Sequence, residues 1–141
     1  TARAIDDSVK PKYHSSYEPN YVFNMDRQAH DAKFTLVCEG PFDAMAVDGV
    51  AVLSNSISDI QADILESMHR ELIVVPDWDK PGEELIKRAI EFGWSVSFPV
   101  WKDDCKDISE AVVKYGKLFV IKSILDGRES NPVKIRLRMK L

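Results

Sequence analysis

Four short apolar runs recur in the middle of the chain, and each is followed by residues with the hydrophobic spacing of a helix. Their length and apolar character suit strands that are buried on both faces. The runs are Phe34 to Cys38, Val50 to Leu53, Leu72 to Val75 and Ser95 to Val100. Because strand and helix alternate four times, we predict an α/β domain with a mainly parallel four-stranded sheet flanked by helices.

The helices between these runs have recognisable beginnings. Pro41 suits the first turn of a short helix, and Ser58 with Gln61 forms a capping-box pattern before the next. A third helix is predicted to begin at Pro81, and further helical segments follow over 108–115 and 118–125. The predicted buried faces of the first two helices are Phe42, Met45 and Ala46, and Ile57, Ile60, Ile64, Leu65 and Met68.

The two ends of the chain have different patterns. Residues 1–32 are polar and are expected to form short strands and turns, with Tyr21 to Phe23 as the best strand candidate. A linker is predicted over 126–132. From Val133 to Leu141, apolar and basic residues alternate with a period of two, which predicts a strand or an extended tail. The predicted basic face suits either a phosphate backbone or a protected sheet edge, and consists of Lys134, Arg136, Arg138 and Lys140.

Composition limits the class of protein. The 141 residues are 45% hydrophobic and 30% charged, which suits one globular domain with its own core. Neither a membrane span nor an apolar signal segment is present in the sequence, so we expect a cytoplasmic protein without a membrane partner. The net charge of −4 means that any contact with a polyanion is local. Cys38 and Cys105 lie outside any zinc-binding spacing, and Cys38 is expected in the core.

Three carboxylates follow two of the predicted strands. Glu39 comes directly after the first run, and Asp77 and Asp79 follow the third. The carboxyl ends of parallel strands share one edge of a sheet, so we expect these side chains to meet there. Asp79 also suits an N-cap, but two aspartates so close together repel each other unless a cation compensates them. Hard oxygen ligands favour Mg²⁺ or Mn²⁺, so the sequence predicts a metal site at this edge.

A second acidic group follows the fourth predicted strand. It contains Asp103, Asp104 and Asp107. The run from Asp107 to Glu110 is also a capping-box arrangement, so a structural role for Asp107 has equal weight.

Two motifs resemble those of the TOPRIM domain, which topoisomerases, bacterial and phage primases, and some nucleases and repair proteins share. Residues 37–44, Val-Cys-Glu-Gly-Pro-Phe-Asp-Ala, resemble its first motif, and residues 75–82, Val-Pro-Asp-Trp-Asp-Lys-Pro-Gly, resemble its Asp-x-Asp motif. The resemblance extends over 33–113. It implies a Rossmann-like TOPRIM domain at 33–125, preceded at 1–32 by the C-terminal remnant of a primase N-terminal catalytic subdomain, and followed at 126–141 by the linker and basic strand or tail.

Three further segments are similar to bacterial-type and phage primases. Leu53 to Ser56 ends the second predicted strand where primases have a small polar or glycine-rich turn. Pro11 to Ser16 resembles their Pro-Lys-Tyr-x-Asn-Ser segment, although Ser15 stands where Asn is usual, and Lys106, Asp107 and Glu110 resemble their Lys-Asp-x-x-acidic motif. The resemblance implies a DNA primase that makes RNA primers on a single-stranded DNA template from ribonucleoside triphosphates, with a replicative helicase as a further candidate partner. It also implies that the metal ligands and catalytic residues are Glu39, Asp77 and Asp79, that the acidic pocket is supported by Asp43 and Asp107, and that nucleotide phosphate is contacted by Lys12.

Other functions remain open at this point. A TOPRIM nuclease or a topoisomerase-related enzyme acting on DNA would use the same carboxylates, and a non-catalytic nucleic-acid-binding fragment would keep them as structural caps. A complete primase would carry a zinc-binding module and a longer N-terminal part than this chain has. We therefore expect the C-terminal portion of a catalytic core, whose activity as an isolated fragment is a separate question.

Overall fold

The computed structural model describes residues 2–3, 5–6, 8, 13–14, 18–77 and 82–140. Strands in these residues are β1 (Ala2–Arg3), β2 (Tyr13–His14), β3 (Phe34–Cys38), β4 (Val50–Ala51), β5 (Glu71–Val74), β6 (Ser95–Ser97) and β7 (Arg128–Glu129). Helices are α1 (Pro41–Ala46), α2 (Asp59–Glu66), α3 (Gly82–Phe92), α4 (Ile108–Tyr115), α5 (Lys117–Asp126) and α6 (Pro132–Met139), with a 3-10 turn at Met25–Arg27. The predicted helix start at Pro81 lies outside the described residues.

Five of the described strands form one sheet in the order β4-β3-β5-β6-β7. The first four are parallel, which confirms the α/β prediction and the four predicted strands. The fifth strand, β7, pairs antiparallel with β6 and lies where a linker was predicted. A two-residue strand has too little hydrophobic pattern to stand out in sequence. The separate pair β1 and β2 is antiparallel.

The core lies on both faces of this sheet. Successive residues of a strand point to opposite faces, and the central strands β3 and β5 alternate between two buried clusters. Val37 and Val74 belong to the cluster with α2, α3 and α6, whereas Leu36 and Ile73 belong to the cluster with α1, α4 and α5. Over the described residues, no helix has the length and apolar character needed to cross a membrane.

The predicted buried face of α1 is wrong for two of its three residues, since only Ala46 packs against the core. Phe42 and Met45 are about half exposed, at 57% and 49%, whereas Ala44 is completely buried. The small Ala44 faces the sheet because the neighbouring Asp43 is held by hydrogen bonds to α4. Phe42 and Met45 are therefore left on the outer side of a short helix.

In α2 the capping box of Ser58 and Gln61 is confirmed, but one residue of the predicted stripe is not buried. Ile60 is 56% exposed, and Gln61 is buried instead. The Gln61 amide donates to the carbonyls of Tyr21 and Val52 at 3.0 and 2.9 Å. The buried amide thus satisfies two backbone carbonyls. We attribute the burial of Gln61 in place of Ile60 to these hydrogen bonds. The predicted strand near Tyr21 is reduced to an isolated bridge between Phe23 and Ala51.

The C-terminal segment is a helix, so the predicted basic strand or tail is wrong. Asn131 accepts hydrogen bonds from the N–H groups of Val133 and Lys134, and Pro132 occupies the first turn of α6. Only Ile135 is buried, and Met139 packs one helical turn further on against the same core. The alternation of apolar and basic residues therefore does not reflect burial on one face. Two of its apolar residues remain exposed, Val133 and Leu137.

Candidate metal and nucleotide site at the carboxyl edge of the sheet

The loops that follow the four parallel strands lie at one edge of the sheet. Val37 pairs with Val74, and the Val75 N–H donates to the Val37 carbonyl, so β3 and β5 end side by side. Glu39 follows β3 and Asp77 follows β5. In an open parallel sheet this carboxyl edge is where a ligand crevice forms.

Glu39 and Asp77 are in direct contact. The backbone N–H of Asp77 donates to Glu39 Oε1 at 3.2 Å, and both residues are partly buried. The hydrogen bond joins residues that are 38 positions apart in the chain. It places two of the three predicted carboxylates at adjacent strand ends, whereas Asp79 lies outside the described residues.

Gly82 packs closely against Glu39 and Asp77. Sequence reasoning did not single out this residue. A Cβ atom on Gly82 would lie 2.1 Å from the Asp77 carbonyl oxygen and 3.1 Å from Glu39 Oε1. Real Cβ atoms do not approach backbone oxygen so closely, so α3 can begin here only with glycine. A glycine directly after the Asp-x-Asp-Lys-Pro run was the signal available in the sequence.

Asp43 is fixed from α4. Both the backbone N–H and the hydroxyl of Ser109 donate to Asp43 Oδ1, at 2.8 and 2.7 Å. Burial raises the pKa of Asp43, the two Ser109 bonds oppose that rise, and the negative charge of Asp107 adds to it. Sequence reasoning missed Ser109, because its partner lies 66 residues away.

Asp107 caps α4, and its negative charge raises the pKa of Asp43. Asp107 Oδ1 accepts the backbone N–H of Glu110 at 2.8 Å. The Glu110 side chain accepts the N–H of Lys106 rather than that of Asp107, so the predicted capping box is shifted by one residue. Asp107 therefore caps α4 and also raises the pKa of Asp43.

The charges of three carboxylates act on Cys38, the last residue of β3. Burial raises the pKa of the Cys38 thiol well above its ordinary value, and the negative charges of Asp43, Asp77 and Glu39 raise it further. Cys38 is 1% exposed, which confirms that it is a core residue. Three acidic side chains therefore concentrate negative charge at one end of β3.

This charge suits a divalent cation. The donors are hard carboxylate oxygens, which fit Mg²⁺ or Mn²⁺, ions usually held by few protein carboxylates plus phosphates or water. Within the part of the chain that the structure describes, no three His, Cys, Asp or Glu side chains form a group able to hold a metal ion. The fit therefore rests on Glu39 and Asp77.

The remaining predicted residues lie elsewhere. Lys12 is outside the described residues. On α6, Lys134 pairs with Glu129 at 3.9 Å, and the Arg138 guanidinium lies over the Phe98 ring at 5.3 Å. Phe98 follows β6 and so lies towards the carboxyl edge of the sheet. Because α6 is helical, its three basic residues and the following Lys140 do not share the single face that a strand would give them.

Two concavities flank the sheet. The larger, of about 510 Å³, lies at the opposite edge, beside the starts of β5 and β6, and is lined by residues such as Arg70 and Trp94. The smaller, of about 300 Å³, lies where β4 ends. The Leu53 N–H at its wall donates to the backbone carbonyl of Glu39 at 3.0 Å. Of these two cavities, the smaller is the one whose wall is hydrogen-bonded to the backbone of Glu39.

Comparison with known proteins gives a family and a fold. A Toprim-like family profile matches residues 36–112, more than half of the chain. No curated protein matches the sequence significantly.

Several solved structures have a similar fold. The RNA polymerase domain of Mycobacterium tuberculosis primase DnaG matches with a TM-score of 0.71 and 20% identity, over 90% of this chain and 49% of that one. The E. coli primase catalytic core matches with a TM-score of 0.72 and 19% identity, over 96% and 49%. A DnaG primase catalytic domain bound to single-stranded DNA matches with a TM-score of 0.66 and 20% identity, over 89% of this chain and 46% of that one. The chain thus spans about half the length of these structures.

Proposed function

The chain belongs to the Toprim-like family, and on this basis we propose that it is the TOPRIM portion of a DNA primase, performing metal-dependent nucleotidyl transfer. The observation that carries this proposal is the hydrogen bond from the Asp77 N–H to Glu39 Oε1. It brings the Glu39 carboxylate to the backbone of Asp77, at the carboxyl ends of neighbouring parallel strands. The similarity in fold to three primase cores supports a primase over other members of the family.

Glu39 and Asp77 would hold the metal ion, with Asp79 as the third predicted ligand. A Mg²⁺ or Mn²⁺ ion supplies positive charge for the triphosphate of a nucleotide and for the 3′ oxygen that attacks it. Gly82 lets α3 approach the pair, and the Asp77 N–H orients the Glu39 carboxylate. Ser109 holds Asp43 beside them, so the protein presents preformed negative charge.

The substrates are proposed from the resemblance to primases. We propose ribonucleoside triphosphates and a single-stranded DNA template, with Lys12 at nucleotide phosphate, Asp43 and Asp107 supporting the acidic pocket, and α6 near the template. A replicative helicase is the further candidate partner, and the cytoplasm of a bacterial or phage-infected cell is the expected compartment. The division into 1–32, 33–125 and 126–141 stays a prediction.

Metal binding tests the proposal directly. We expect calorimetric titration of the chain with Mn²⁺ to give a site whose affinity falls at least about tenfold in Glu39→Gln and in Asp77→Asn, because each change removes one ligand charge. Asp63→Asn is the matched control, since Asp63 is an exposed carboxylate on α2 and its loss changes the net charge equally. Equal affinities in all three variants would refute the metal assignment.

Primer synthesis tests the reaction. A longer protein that contains this chain should make RNA primers on single-stranded DNA, and Asp77→Asn combined with Asp79→Asn should abolish that synthesis. Unchanged synthesis in the double variant would contradict the proposed role of the carboxylates. Cleavage of single-stranded DNA with Mn²⁺ and no nucleotide would identify a nuclease instead.

A further inference from the structure

The cavity of about 300 Å³ at the end of β4 is a small site with a polar, uncharged lining. Its volume lies at the lower end of the range for small-molecule sites, near the size of one nucleoside. Of the described residues that line it, none is charged, and aliphatic side chains complete the wall. The polar residues that line this serine pocket are Asn20, Ser54, Ser56, Ser58 and Gln61.

Some of these polar groups already serve the fold. Ser58 caps α2, and both ends of the Gln61 amide make hydrogen bonds, to the Ser58 N–H and to two backbone carbonyls. Ser54 and Ser56 lie on the loop between β4 and α2. Asn20 belongs to the N-terminal region of the chain and also lines the pocket. The Ser54 hydroxyl donates to the Ser56 carbonyl and so also serves the fold. Hydroxyl and amide groups both donate and accept hydrogen bonds, so Ser56 and Asn20 suit a ligand with hydroxyls and ring nitrogens.

Backbone hydrogen bonds link the wall of the serine pocket to the end of β3. The Val52 and Leu53 N–H groups donate to the carbonyls of Cys38 and Glu39, so the pocket wall runs alongside the residue proposed to bind metal. Leu53 has a φ of 61° and Asn20 a φ of 65°. A left-handed conformation is costly for leucine, whereas asparagine adopts it readily, so of these two residues only Leu53 is strained. Strain of this kind clusters at functional sites.

Charge divides this edge of the sheet into two zones. The carboxylates would take the metal ion and, through it, phosphate, whereas an uncharged pocket offers phosphate no compensating cation. We propose that the serine pocket binds the nucleoside part of a nucleotide whose phosphates lie at the carboxylate edge. This inference rests on the proposed function, and it adds a subsite where hydrogen bonds to sugar and base orient the substrate.

The test separates nucleoside binding from phosphate binding. Calorimetric titration with ATP and with inorganic tripolyphosphate, each with Mn²⁺, is done on the chain and on Ser56→Leu, which fills the pocket. We expect Ser56→Leu to weaken ATP binding about tenfold and to leave tripolyphosphate binding within about twofold, because only ATP enters the pocket. Ser67→Leu is the matched control, since Ser67 is an exposed serine at the other end of α2.

Circular dichroism checks that each variant is folded. If Ser56→Leu is unfolded, Ser56→Ala replaces it, with a smaller expected loss of about threefold for ATP alone. Either of two results in the folded pocket variant would overturn the nucleoside subsite. One is an unchanged affinity for ATP, and the other is an equal loss of affinity for ATP and for tripolyphosphate. Tripolyphosphate binding that needs no Mn²⁺, or that survives Glu39→Gln, would overturn the proposed function instead.

Discussion

Gly82 shows how closely the side chains and backbone of the candidate site are packed. It lies at the start of α3, where its Cα faces the Asp77 carbonyl and one oxygen of Glu39. Gly40, at the start of α1, has open space by comparison, since a Cβ there would lie 3.8 Å from Asp43 Oδ2. The glycines of the two motifs therefore have different structural roles.

We predict that Gly82→Ala destabilises the protein by about 1–3 kcal/mol and weakens Mn²⁺ binding, because the new methyl group must displace the Asp77 backbone. Gly40→Ala should cost about 1 kcal/mol or less and leave Mn²⁺ binding unchanged. Urea unfolding and calorimetric titration measure the two effects. A Gly82→Ala variant as stable as the wild type would mean that the close approach does not constrain the site.

Residue chemistry could be predicted only where it depends on near neighbours in sequence. The Ser58–Gln61 cap spans three positions and was predicted correctly. The bond from Ser109 to Asp43 spans 66 positions and was missed. A serine one residue into a helix has no local feature that reveals a distant carboxylate partner, so only the packing of α1 against α4 reveals it.

At the scale of elements, α6 is the segment where local pattern and local capping disagree. Alternating apolar and basic residues favour a strand, whereas Asn131 followed by Pro132 favours the start of a helix. The helix forms because Ile135 and Met139, one turn apart, both reach the core cluster that contains α3. A strand would have placed five apolar residues on one face without a partner sheet to cover them.

The cap of α6 gives a prediction for this element. Asn131→Ala should lower the free energy of unfolding by about 1 kcal/mol, because the side chain accepts two N–H groups at 2.9 and 3.2 Å. Asn131→Asp keeps the acceptor and places a negative charge at the helix N-terminus, so it should retain the stability. Urea unfolding compares the two variants with the wild type. Equal stability of the alanine and aspartate variants would contradict the capped helix.

At the scale of the whole molecule, negative and positive charges are segregated. The chain has a net charge of −4, and acidic residues gather at the end of β3, whereas α6 carries basic residues and no acidic ones. The Arg138 contact with Phe98 brings α6 towards the carboxyl edge. The proposed contact of α6 with single-stranded DNA would be made by these basic residues.

This arrangement predicts a salt effect. Replacing Arg136 and Lys140 together by alanine should reduce the slope of log K against log salt for single-stranded DNA by about 1.4, since each phosphate contact contributes roughly 0.7. Lys117 and Lys122 of α5, replaced in the same way, are the control with an equal change of charge. Fluorescence anisotropy at several salt concentrations gives the slopes. The same change in both variants would show that net charge alone is responsible.

The sequence by itself determined the parts of this protein that depend on a few adjacent residues. These are the four parallel strands, the cap of α2, and the placement of acidic residues directly after two strands. Backbone preference, hydrophobic period and capping all act within about one or two helical turns, so the chain carries this information locally.

Only the tertiary structure decided which of these local features meet. The neighbouring positions of β3 and β5 place the Asp77 N–H on Glu39, and the packing of α4 against α1 brings Ser109 to Asp43. The antiparallel β7, the helical α6 and the serine pocket beside Glu39 likewise depend on contacts between segments distant in sequence. Such contacts depend on strand order and on burial in a shared core, neither of which is set by adjacent residues alone.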